Sequence, residues 1–341
     1  MDKAHRETDE KLKALEKRIA KEYKQAEEDL TKTLEAYFKR FEKKDERWRA
    51  WVANGDKTLE EYKDWRVGQM AIGERWEKQR DLMAERYTQA ADIARRAVND
   101  ALVDIYRDNY NYATYEVERG SGIDTGFTLM DREAAAQVLK DDKLYHDPGK
   151  ERTRLINAGL EKRWNKEQIQ SVMLQALLQG KSIARITDHL TKTVGEKDRK
   201  ASIRNCRTMV TGVENAGRVA GYRRAEGMGI EVEKRWVAVL DNRTRHTHRM
   251  LDGVAVPVDA TFPNDCRFPG DPEGRPEEVY NCRCTLIADM PGYRVDLSTR
   301  QVAGGISYEE WQKGKMKPED IERAEKRSAA IAGSYRTEYR T

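Results

Sequence analysis

The apolar residues of the first forty positions recur at spacings of 3, 4 and 4: Leu12, Leu15, Ile19, Tyr23, Ala26, Leu30, Leu34, Tyr37 and Phe41. This is an eleven-residue period, about 3.67 residues per turn, and a helix gathers such a series onto one stripe. With Trp48 and Val52 the pattern predicts one helix over residues 1–53, interrupted by Asp45 where the next apolar residue is due. The positions between are charged, with both signs interleaved, which suits an exposed face carrying i,i+4 pairs. The stripe faces either the protein's own core or a partner helix.

Asn54-Gly55-Asp56 breaks the pattern, and Thr58 with Glu61 forms a capping box that opens a second helix. Tyr62, Trp65, Met70, Trp76, Met83, Tyr87, Ile93, Ala97, Ala101 and Ile105 carry it to about residue 110. Their spacing marks core-formers rather than a base-stacking surface. Residues 1–110 therefore read as a long N-terminal helical hairpin arm of coiled-coil character. Residues 111–150 read as a joint, punctuated by Gly120, Gly122 and Gly126, with a short helix at 131–139 and a turn at Asp147-Pro148-Gly149.

Beyond the joint, Asn165 and Ser182 are expected to cap two helices that stop at Gly180 and Gly195. The helix over 199–224 holds seven basic residues and one acidic one, Glu214. It offers a face to phosphate or an acidic partner, or is simply solvated. Thr211, Glu214 and Asn215 make a polar patch on it that either anchors a neighbouring loop or lies exposed. After Gly227-Met228-Gly229 the period changes to two, giving a strand that ends near Leu240. Gly253–Val256 and Thr285–Ala288 are two further short strands. A charged tail from 293 carries a second capping box, Ser307 with Glu310, and Pro318 at the start of a last helix. The fold class expected is mainly α, with a small α+β C-terminal lobe over residues 151–292.

Composition narrows the function classes. Of 341 residues, 38% are hydrophobic and 36% charged, against roughly 45–50% and 25% in ordinary globular domains. The core is therefore modest. Net charge is +4 from 64 basic and 60 acidic residues, far from the imbalance of a dedicated nucleic-acid binder. No apolar run approaches about 18 residues, and the start lacks the apolar stretch of a signal peptide, so a membrane partner is not expected.

Reactive residue types gather between Trp236 and Cys284, which hold three of the four cysteines and two of the five histidines. Thiolate and imidazole are zinc donors, and His248, Cys266, Cys282 and Cys284 supply the four that a tetrahedral site needs, with His246 as a substitute. Reduced structural cysteines, or a disulfide from Cys266 to Cys282 or Cys284 outside a reducing compartment, are the alternatives. A metal-dependent, nuclease-like hydrolase using His246 or His248 as base, Asp241 as ligand and the cysteine cluster is a further reading. Phosphate-binding glycine loops and hydrolase nucleophile motifs are missing from the sequence.

Trp236, Asp241, Arg243, Thr244, Arg245, His248, Asp252 and Gly253 form the pattern W-x-A-x-L-D-x-R-T-R-x-x-H-x-x-L-D-G. Phe-Pro-Gly-Asp-Pro at 268–272 and Asn281, Cys282, Arg283 and Cys284 complete it. The combination resembles the phage head-morphogenesis family, the Mu F-like minor head (minor capsid) proteins of tailed phages and prophages, over about residues 150–290. The resemblance implies a structural virion protein, placed inside the head near the portal vertex, acting in head assembly and in DNA packaging or ejection. Portal, capsid or scaffold proteins are its implied partners, with packaged DNA a candidate for the 199–224 helix. It brings no catalytic residues. Some relatives fuse the domain to a C-terminal toxin; 57 residues after Cys284 are too few for one. Some carry a second cysteine pair where this chain has Arg245 and His248, which leaves zinc open. A cytosolic coiled-coil adaptor built on residues 1–110 is the remaining alternative.

Overall fold

Helices α1 (Lys3–Lys39), α2 (Glu42–Ala53), α3 (Leu59–Met70), α4 (Glu74–Ser121), α5 (Arg132–Asp141), α6 (Leu160–Leu178), α7 (Ile183–Leu190) and α8 (Glu196–Glu226) precede the first strand, β1 (Glu233–Val237). Then come α9 (His246–Leu251), β2 (Ala255–Pro257), α10 (Pro276–Val279), β3 (Thr285–Asp289) and α11 (Tyr308–Lys315). This computed structural model describes residues 2–141, 160–291 and 306–315. The expected turn at 147–149 and the Pro318 helix lie outside the described residues. The chain divides into two units, one of Asp9–Ala101 with His146–Met209, the other of Met1–Thr8, Leu102–Tyr145 and Val210–Thr341.

The first unit is wholly helical among its described residues. The predicted stripe is its core: Leu15, Ile19, Tyr23, Ala26, Leu30, Leu34, Tyr37 and Phe41 are all buried. The helix expected over 1–53 is two helices, however. Phe38 is buried beside Tyr37 and Phe41, and the Phe41 N–H turns back to the Phe38 carbonyl at 2.8 Å, a tightened turn that ends α1. Asp45, the apparent flaw in the stripe, is buried 3.2 Å from the fully buried Arg66 and accepts from Tyr62 Oη at 2.8 Å. The interruption is an ion-pair anchor.

The second helix also divides. The Thr58–Glu61 box opens α3 as expected, but Gly73, at φ +95°, separates it from α4. The Tyr37 hydroxyl donates to the Met70 carbonyl at 3.0 Å, satisfying the frayed end. Asn165 is not a cap. It lies inside α6, buried, and donates to Thr88 Oγ1 at 3.2 Å. Gly180, at φ +69°, and Ser182 punctuate α6 and α7 as expected. Gly195 does not stop a helix; a π turn over Thr191–Gly195 runs on into α8. A Cβ there would meet Tyr87 Oη at 2.8 Å, so the glycine serves a close approach.

In the second unit, α4 continues to Ser121 through the expected joint, and Gly120 lets the Met290 side chain lie against the helix. The three predicted strands form one antiparallel sheet in the order β2-β1-β3. Lys234 pairs with Val256 on one side and Ala288 on the other. The core joins Val219, Tyr222 and Ala225 of α8 to Trp236, Leu286, Val258, Phe262, Phe268 and the three clustered cysteines. The Ser307–Glu310 box is present, and Tyr308 and Trp311 of α11 bury against Tyr112, Tyr115 and Phe127.

Besides Arg66, two more cations are buried among the described residues where the sequence showed only charge. Lys234 shares the inward face with Trp236, donates to the Val258 carbonyl at 2.6 Å, and has its amine pushed down by burial to about 8. Arg218 is fully buried, held by Asp2 at 2.8 Å, the Leu286 carbonyl at 2.8 Å and Asn109 Oδ1 at 3.1 Å. With Arg207 on Glu16 at 2.5 Å and Arg223 on Asp259 at 2.7 Å, three charges of the 199–224 helix are neutralised within the chain.

Replacing Asp45 by Ala strands Arg66 in the interior, and urea unfolding should show a loss of roughly 3–5 kcal/mol, with a smaller loss for Asp45→Asn. Lys234 gives a pH signature. Between about 8 and its ordinary 10.5 the unfolded chain holds a proton that the folded chain lacks, so stability rises with pH. Denaturation of wild type and Lys234→Met at pH 7, 8, 9 and 10 should show wild type gaining on the variant across that window.

Candidate metal-binding cluster and the loop that holds it

One face of α8 builds the site from below. Thr211, Glu214, Asn215 and Arg218 stand three and four apart, on one stripe, and all are buried. The Thr211 hydroxyl donates to the Cys282 carbonyl at 2.8 Å. Asn215 Nδ2 reaches the carbonyls of Thr211 at 2.9 Å and of Pro269 and Cys284 at 3.2 Å each. Glu214 accepts from Thr285 Oγ1 at 2.8 Å and meets His5 Nδ1 at 2.6 Å. The polar patch is a loop anchor. It holds the backbone that loops cannot satisfy for themselves. Gly212 allows the approach, because a Cβ there would lie 2.7 Å from the Gly270 carbonyl oxygen, and Gly270 itself takes φ +77°.

The Cys-x-Cys pair sits on extended backbone leading into β3, entered through Asn281 at φ +55°. Alternation points both sulfurs inward and Arg283 outward. Arg283 then grips Asp241 with two bonds of 2.7 Å, and that pair holds the Asp241 carboxyl well below its usual range. Asp241 also accepts from the Arg243 N–H at 2.9 Å and Thr244 Oγ1 at 3.1 Å. Arg245 bonds the Tyr280 carbonyl, and Asp252 accepts from the Ala238 N–H at 2.8 Å ahead of Gly253 at φ +83°. Asp241 is thus engaged by Arg283 in a fold-holding clamp, which removes it as the metal ligand of a hydrolase.

His248 on α9 completes the cluster. Its Nδ1 lies 3.3 Å from Cys284 Sγ and 3.7 Å from Cys282 Sγ. Its Nε2 lies 3.0 Å from Glu278 Oε2, a carboxylate oxygen that accepts the Nε2 proton. Burial opposes the charge of Glu278. Bonds from Asn264 at 3.3 Å and Thr247 at 3.0 Å, with His248, still hold it below its usual range. The hydrogen bond between the sulfurs divides them: it drives the Cys284 thiol down, aided by His248, and Cys282 up. Trp236 stacks edge-on to the His248 ring at 5.3 Å.

Of the residues expected at a metal, the structure brings together His248, Cys282 and Cys284, all buried, with ligand atoms within 4.8 Å of one another. Cys266 stands outside that group, packed near Gly274 and Val279 as a thiol that burial pushes up to about 12. His246 is exposed. Sequence reasoning missed Glu278, whose role shows only once α10 is folded beside α9, and Asn264, whose amide bonds Glu278 and whose Oδ1 accepts from the Cys266 N–H at 3.3 Å.

Asn215→Ala takes the side-chain donor from two buried carbonyls, those of Pro269 and Cys284, and should cost about 2–3 kcal/mol in chemical denaturation. Gly270→Ala, strained by its φ and driven into Gly212, should cost at least as much.

The family described as Phage Mu protein F like protein matches residues 167–287. Minor head protein GP7 of Bacillus phage SPP1 is 28% identical over 256 residues, covering 71% of this chain and 79% of that protein. NAD(+)--arginine ADP-ribosyltransferase EFV of Enterococcus faecalis is 32% identical over 145 residues, 41% of this chain, and the chain spans only 30% of that enzyme's length. No solved structure matches. The clamp of Asp241 and Arg283, the anchored Cys-x-Cys return and the α8 stripe all fall within residues 167–287, the span that is similar to the Phage Mu protein F-like family.

Proposed function

We propose that this chain is a minor head protein of a tailed phage or prophage, a structural component of the virion. The observation that carries the reading is what the motif residues do. Asp241, Thr244, Arg245, Asp252, Asn281 and Arg283 serve backbone and one another, holding a thin lobe in shape. The likeness to the SPP1 minor head protein over most of both chains supports the same role.

Within the head, the partner assigned here is the portal or a neighbouring capsid or scaffold protein. The helical residues 1–110 carry the contact and residues 151–292 act as the assembling domain, with 111–150 joining them. The place of action is inside the head by the portal vertex, during assembly and DNA packaging or ejection. Packaged DNA is a weaker partner for the 199–224 helix, because Arg207, Arg218 and Arg223 are already matched by carboxylates. The segment shared with the ADP-ribosyltransferase is read as a common structural module and not as the source of transferase chemistry.

Peptide mass spectrometry of purified virions and procapsids should find this chain, cross-linked to portal or capsid protein after treatment with a lysine-reactive linker. Its absence from both particles sinks the reading. The purified protein should leave NAD unconsumed in the presence of an arginine-rich acceptor; turnover there would move the function to the enzyme class.

A further inference from the structure

We propose that His248 Nδ1, Cys282 Sγ and Cys284 Sγ bind one zinc ion. Tetrahedral zinc, at about 2.3 Å from sulfur and 2.0–2.1 Å from nitrogen, sets its nitrogen and sulfur ligands roughly 3.6 Å apart. The separations here, 3.3 and 3.7 Å, bracket that edge.

His248 Nδ1 faces both sulfurs at once, at 3.3 and 3.7 Å. A cation at the centre answers all three donors. Two thiolates and a neutral imidazole around a divalent ion also sum to zero charge, which suits a site with every ligand buried. Loading releases the remaining thiol protons to solvent.

Two neighbours already stand where the groups behind metal ligands stand. Glu278 takes the His248 Nε2 proton, fixing the tautomer that leaves Nδ1 free to ligate, and is itself oriented by Thr247 and Asn264. The buried Trp236 ring packs edge-on against the His248 imidazole at 5.3 Å, holding its plane. Zinc here ties α9 to the strand entry 34 to 36 positions later. It acts as a staple for a lobe whose sheet has three short strands.

The full chain, purified without added metal or chelator, should carry about one zinc by plasma mass spectrometry. Exchange with cobalt should give the near-ultraviolet thiolate-to-cobalt charge transfer and intense visible bands of a tetrahedral site. Folded wild type with neither zinc nor that spectrum overturns the proposal, whatever the variants do. Cys284→Ser and His248→Ala should lose the metal. Glu278→Gln should keep it at an affinity lower by about 10- to 100-fold. Cys266→Ser should keep full zinc and the two-thiolate cobalt intensity; loss there overturns the ligand set.

Discussion

Everything in the second unit leans on one requirement: a loop that carries backbone into the interior must find donors and acceptors there. The segment 266–284 dips repeatedly into the interior, with Cys266, Phe268, Asp271, Val279, Cys282 and Cys284 all buried. Helix α8 supplies what they lack, as Thr211 and Asn215 donate to the carbonyls and Glu214 accepts from Thr285. Because those bonds fix where the Cys-x-Cys return lies, they also fix where the sulfurs meet His248, and where Arg283 meets Asp241. The site's geometry is inherited from a helix that contributes no ligand to it.

The same physics appears in the first unit with different residues. There a carboxylate in an apolar stripe, Asp45, is matched to a guanidinium, Arg66, that has no exposed surface. A buried ion pair of this kind adds little net stability over a good apolar pair, but loss of either member is costly. It fixes register between α2 and α3, since each group has its proper partner in one alignment only.

How much of this could be read beforehand divides by range. Patterns within a turn or two of helix were legible: the apolar stripe to Phe41, the boxes at Thr58 and Ser307, the C′ glycine at 180 and the three strands. The Mu F-like resemblance was legible too, because its residues are spaced by the fold they specify. What escaped depended on contacts distant in sequence. The break at Phe41 needed the packing of three adjacent aromatics, and Gly195 read as a stop because the side chains pressing on it come from elsewhere. Lys234 looked like a surface residue, as lysine usually is. Glu278 and Asn264 looked like loop polarity until they appeared behind His248. Cys266 seemed a fourth ligand by residue type, and it shares the core with Cys282 and Cys284, but its sulfur stands outside the group they form with His248.

Arg218 has a consequence for the order in which the molecule can form. Its guanidinium is closed off by Asp2, 216 positions earlier, and by the Leu286 carbonyl, 68 positions later. Neither neighbourhood suffices alone. During synthesis the first residues emerge long before the last strand exists to complete the enclosure. The lobe therefore finishes after the chain has been made to about residue 290, through contacts of long sequence separation that close slowly. Until then an incomplete sheet with open edges is exposed to the crowd of other chains around it. A chain closed in this way reaches its finished form on a clock set by its own length.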